Sequence, residues 1–175
     1  VMGLIALVQF QAASAANTFT ATSLTSMGFS APGVAKIMLN LTGYDTLDAA
    51  AFNGYTSTTW LIIQYSTISS IPASAFTQMT SLITLTLSIN ALTSQGANAF
   101  STSNIPSTVL TLTLVGNNMN SIATNAFSTL NKLDTLFLGS NSLTSLSAVM
   151  FNGLTSLTNQ WIKKATKARL FRKEK

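Results

Sequence analysis

The chain has 175 residues, with no cysteine, no histidine and only four residues that are Asp or Glu. Without cysteine it can form neither disulfides nor thiolate nucleophiles, and without histidine it lacks the usual imidazole base. A zinc site built from Cys and His is excluded on the same ground. The carboxylates offer one close pair, Asp45 and Asp48, in a turn where solvated loop residues are expected rather than an acid and a base. Gly116 in "VGNN" and Gly139 in "LGSN" do not have the spacing of a phosphate-binding loop. The chain therefore reads as non-catalytic, with no metal site and no cofactor.

Charge is scarce as well. Only 7% of residues are charged, whereas Ser and Thr together number 48, so the surface is solvated by hydroxyls. Low charge accompanies disorder when hydrophobicity is also low. Here 47% of residues are apolar and stand in register, which argues for a folded domain. The net charge of +5 belongs to the end of the chain, where "IKKATKARLFRKEK" carries seven of the nine Lys and Arg residues. Without residues 163–175 the balance is about −1, from Lys36 and Lys132 against Asp45, Asp48 and Asp134. This basic tail is open to three readings: an arm for an anionic surface, a capping helix, or an arbitrary end. At most a weak anionic-surface contact is expected from it, and no specific nucleic-acid recognition.

At the other end, "VMGLIALVQFQAASAANTF" joins an apolar run to Ala13-Ser14-Ala15, which reads as the later part of a signal peptide over 1–16. The alternative is a buried N-terminal strand or helix. The run is shorter than the ~20 apolar residues a membrane span needs.

Between these ends one pattern repeats. From Leu133 to Leu154, apolar residues stand at offsets 0, 3, 5, 10, 13, 18 and 21, with Asn141 at offset 8. Neither a helical period of about 3.6 nor a strand period of two produces that spacing. Units begin at Val34, Thr58, Leu82, Val109, Leu133 and Leu157, separated by 24, 24, 27, 24 and 24 residues. Offset 18 is Phe52, Phe76, Phe100, Phe127 and Phe151. A period of this length marks a solenoid.

Within each unit, offsets 0 to 5 alternate apolar and polar residues, as a strand with one buried face does. Offset 8 is Asn90, Asn117 or Asn141 in three units, with Thr42 and Ser66 in the first two. A buried Asn can satisfy loop backbone groups of its own and the next coil, and Thr or Ser does so less completely, so the first two turns should be looser. Ordering one coil costs more than its buried side chains return, so coils must stack to fold.

The pattern LxxLxLxxNxLxxLxxxxFxxL resembles the leucine-rich repeat in its 24-residue extracellular form, from about Val34 to Trp161. The resemblance implies an α/β repeat solenoid: a horseshoe with a parallel concave β-sheet and a mostly irregular or short-helical convex side. About five full units and a partial sixth occupy 34–162, and residues 17–33, with Leu24 and Phe29 spaced like offsets 13 and 18, suggest an N-terminal cap. Gln95 stands at an offset that is apolar elsewhere, in the unit lengthened around "STSNIPST", where a convex bulge is expected. The resemblance also implies a secreted or cell-surface setting.

On such a sheet, offsets 2, 4, 6 and 7 should face solvent. They bring together Met38, Trp60, Ile62, Gln64 and Tyr65, followed by a ladder of Thr84, Thr86, Thr111 and Thr113, and then Phe137. An exposed apolar and aromatic cluster marks an interaction site. Against this stand a cap folded over Trp60 and Ile62, and plain β-propensity for the threonines. Asn40-Leu41-Thr42 is the one N-glycosylation sequon. The expected function is recognition of a protein or glycan ligand through the concave face. The alternatives are a structural or adhesive wall or matrix protein that self-associates, and the sensor fragment of a larger receptor.

Overall fold

The computed structural model describes residues 7–9, 18–93, 100, 104–145 and 147–161. Its strands are β1 (Leu7–Gln9), β2 (Thr18–Phe19), β3 (Lys36–Asn40), β4 (Thr46–Leu47), β5 (Trp60–Gln64), β6 (Thr84–Thr86), β7 (Thr111–Thr113), β8 (Thr135–Phe137) and β9 (Asn159–Trp161). Among the described residues they form a seven-stranded sheet in the order β1-β3-β5-β6-β7-β8-β9 and a small pair, β2-β4. Every pairing is parallel. This is the solenoid implied by the repeat: one strand per coil, stacked in chain order, with little helix.

Register follows the repeat offsets. One row across the sheet reads Lys36, Trp60, Thr84, Thr111, Thr135 and Asn159; a second reads Met38, Ile62, Thr86, Thr113, Phe137 and Trp161. The three extra residues between β6 and β7 leave the register intact. Part of that longer loop, with Gln95, lies outside the described residues. Its Asn104 is buried and accepts from the Ser74 N–H at 2.9 Å, tying the longer loop back to the coil before it.

The regular strands are shorter than the alternation suggests, beginning at offset 2 rather than 0. The reason lies in the backbone. The N–H groups of Leu82, Val109 and Leu133, all at offset 0, donate back to Met79, Pro106 and Leu130 and close the convex turn. One carbonyl of the preceding coil then receives two donors: Ile83 O accepts from Leu110 and Thr111, and Leu110 O from Asp134 and Thr135. Thr58 stands at the apolar offset 0 yet is fully buried, because its hydroxyl donates to Val34 O at 2.6 Å.

Inward residues make one continuous core. Phe52, Phe76, Phe100 and Phe127 are buried in a spine, with ring centroids 5.7 Å apart for Phe52 and Phe76 and 5.8 Å for Phe100 and Phe127. Phe151 is half-buried, and Met150 beside it takes the interior position. At the N-terminal end, α1 (Ala21–Ser26) is held by a reciprocal capping box between Thr20 and Ser23. Leu24 within it and Phe29 after it are buried, and the Tyr55 hydroxyl donates to Phe29 O at 3.1 Å. Burial pushes the Tyr55 phenol above its ordinary value.

The asparagines at offset 8 stitch coils together in the direction opposite to the one expected. Asn117 Nδ2 donates to Leu114 O of its own coil (3.0 Å) and to Leu87 O of the preceding one (2.8 Å), while Oδ1 accepts from Leu92 N (3.3 Å), also preceding. Asn141 likewise reaches Leu114 O and Met119 N. The partner is the coil before, because the loop after each strand leans over the strand end already laid down. Nor is the turn at Ser66 loose: its hydroxyl is buried and donates to Asn90 Oδ1 at 2.5 Å, and it accepts from Ile68 N. Thr42, by contrast, is exposed.

The apolar N-terminal run contributes β1, the outer strand beside β3. Residues 1–6 and 10–17, and the basic segment 163–175, lie outside the described residues.

Candidate binding surface

The outward rows of the sheet place the sequence-derived candidates on one face. Met38 and Ile62 are neighbours in register and half-buried. Trp60 is 41% exposed, and among the described residues no cap covers it. The Lys36 ammonium, on the neighbouring strand β3, lies 4.4 Å from the centre of its ring in a cation–π contact. Gln64 is fixed by donating from Nε2 to Asn40 Oδ1 at 2.9 Å. Thr84, Thr86, Thr111 and Thr113 form a half-buried floor beyond, and Phe137 follows Thr113 in the second row.

Tyr65 and Ile89 stand apart for a backbone reason. Both follow the strand at offset 7 with positive φ, 57° and 54°, and both are exposed. A left-handed conformation is costly for a β-branched residue such as Ile89. Ser140 and Gly116 occupy the same position in later coils with φ of 55° and 72°. A Cβ on Gly116 would approach Ile89 Cγ1 to 3.3 Å, so the glycine lets the coils stack against that isoleucine. The left-handed turn aims Tyr65 and Ile89 out along one rim of the floor.

The opposite rim carries two residues that the sequence reasoning missed. Ile83 and Leu110, at offset 1, are exposed apolar side chains in adjacent coils. The available signal was their hydrophobicity where other coils have Ala35, Thr59, Asp134 and Thr158. Two residues expected to face solvent do not: Ser88 and Gly139, both at offset 6, are buried as the chain turns inward after the shorter strands.

Charge enters this face at Lys36 and Asp134. The first sits on Trp60, and the second accepts from the hydroxyls of Thr135 and Thr158. Among the described residues no group of His, Cys, Asp and Glu could hold a metal ion, and no helix is long and apolar enough to cross a membrane. The arrangement offers contact area and hydroxyls.

A family model for the BspA type leucine-rich repeat region matches residues 45–169 in six copies. The chain belongs to the BspA-type leucine-rich repeat family. Members of this family are typically non-catalytic, and the BspA-type repeat fold is that of an interaction module. Among solved structures, this BspA-type chain is similar to TLR13 in its complex with ssRNA13, at 19% identity and a TM-score of 0.69. That match covers 85% of this chain but 20% of the other, so the chain spans a fifth of that neighbour's length. It is also similar to an internalin (inlF) of Listeria monocytogenes str. 4b F2365, at 18% identity and a TM-score of 0.47, covering 75% of this chain and 42% of that one. No curated protein matches the chain.

Proposed function

We propose that the chain is the recognition module of a secreted or cell-surface protein, and that it holds a protein or glycan ligand on its concave face. The observation that carries this reading is the exposed Trp60, in cation–π contact with Lys36 on the face that also carries Met38 and Ile62, with Tyr65 exposed just past the end of the same strand. A large aromatic kept in water, with only two side-chain torsions to fix, loses little freedom on binding. Export is read from the apolar run and Ala13-Ser14-Ala15. Terminal sequencing of the mature protein tests that part: a start near Ala16 supports a leader, whereas retention of Leu7–Gln9 assigns this stretch to the sheet instead.

Recognition is tested by comparing capture on the chain with capture on a folded Trp60→Ala, Tyr65→Ala variant. A partner held by the first and lost by the second supports the concave site. Equal capture by both refutes it, and capture by neither favours the structural or fragment reading.

A further inference from the structure

The threonine floor differs from the other threonines in what its hydroxyls do. Thr58, Thr59, Thr67 and Thr108 each donate to a backbone carbonyl 23 to 26 residues earlier, at 2.6 to 3.1 Å. Thr84, Thr86, Thr111 and Thr113 make no side-chain hydrogen bond to the described residues, although they are half-buried. Four adjacent hydroxyls thus keep both donor and acceptor capacity toward solvent. The floor runs between two aromatic side chains, Trp60 in one row and Phe137 in the other.

Taking the concave face as the recognition surface argued above, we infer that its ligand is an uncharged glycan chain lying across the strands. A sugar ring presents an apolar C–H face and an edge of hydroxyls. The first suits the aromatic face of the exposed Trp60, whose strand pairs with β6. The second needs partners that both donate and accept, as threonine does and as Lys or Glu does not. Neighbouring strands lie about 4.8 Å apart, close to the length of one sugar in an extended chain. Successive rings can therefore meet successive threonine rows.

Charge selects against the alternatives. An acidic glycan or nucleic acid would bring anions to a floor whose nearest cation is already seated on Trp60, and desolvating unpaired anions is costly. A protein epitope with Lys or Glu at its centre would meet the same lack of partners.

The test is calorimetric titration of the whole chain with neutral hexasaccharides built from glucose, mannose, galactose or N-acetylglucosamine, alongside oligogalacturonate and heparin fragments. At least one neutral hexasaccharide should bind, with an affinity unchanged between 50 and 500 mM salt. In a Trp161→Phe background, where Trp60 is the remaining indole, binding should alter its fluorescence. Trp60→Ala should weaken binding at least tenfold. Thr111→Val, which keeps the shape and β-propensity and removes only the hydroxyl, should weaken it about three- to tenfold. Absence of binding by every neutral glycan overturns the inference, as does binding that survives Trp60→Ala. A preference for the acidic fragments that fades with salt also overturns it and points to the basic segment. If a protein partner is captured through Trp60 and Tyr65 while no glycan binds, concave recognition stands and the glycan assignment falls.

Discussion

Replacing Asn117 by Ala removes a side chain that is 4% exposed and holds three backbone groups. Leu114 O retains the Asn141 amide at 2.9 Å, so two groups lose the partner described here: the Leu92 N–H and the Leu87 carbonyl. Each buried orphan costs about 1–3 kcal/mol, which gives a loss of roughly 2–6 kcal/mol. Against a total stability of order 5–15 kcal/mol for a domain, that is severe. Asn141→Ala, at a half-buried site that water can reach, should cost clearly less. Urea denaturation followed by circular dichroism measures both, provided that the slope of free energy on denaturant is unchanged. Asn117→Asp sharpens the test. Its carboxylate would face two carbonyl oxygens in a buried site, so its folded-state pKa would rise above the unfolded value of about 3.9. The variant should therefore be most stable below that value and lose stability as pH climbs through the folded pKa. A loss under about 1 kcal/mol for Asn117→Ala, or equal losses at Asn117 and Asn141, would refute the idea that these amides bind coil to coil.

Phe76→Ala should cost about 3–5 kcal/mol in the same assay, because it opens a cavity in the aromatic spine, while Phe151→Ala at its half-buried end should cost well under half of that. Gly153→Ala should destabilise by more than about 3 kcal/mol or prevent folding, since an added Cβ would collide with the backbone carbonyl of Ser128. Tyr55→Phe should lose about 1 kcal/mol near neutral pH with its bond to Phe29 O. Because burial raises the phenol's folded pKa, wild-type stability is complete below about pH 10 and falls as pH rises through the folded value, and the Phe variant should lack that part of the alkaline loss.

What could be read in advance was whatever depends on side-chain polarity at a fixed offset. The period placed Leu61, Leu85, Leu112 and Leu136 inward and Trp60, Thr84, Thr111 and Thr135 outward, because alternation on a strand leaves no other arrangement. Phe52, Phe76, Phe100 and Phe127 followed in the same way. Features decided by the backbone were not legible. Tyr65 and Ile89 give no composition signal for a positive φ, since their residue types ordinarily avoid it. The direction of the Asn117 bonds depends on which way the loop leans, which a list of donors and acceptors does not encode. Of the candidate surface, Met38, Trp60 and Ile62 lie in the outward rows that the spacing gives them, whereas Tyr65 lies past the strand in a left-handed turn. Ile83 and Leu110 escaped notice because offset 1 looks featureless across the other coils.

The unit that is 27 rather than 24 residues long enters and leaves the sheet at the same row as its neighbours. Residue number and position on the concave face are therefore independent variables in this fold. Chain can be added between strands without displacing a single outward side chain by one row. A lineage carrying such repeats could remodel its outer loops freely while a ligand continued to meet the same rows of hydroxyls, and a designer wishing to append a tag or a second module has the same freedom at the same place.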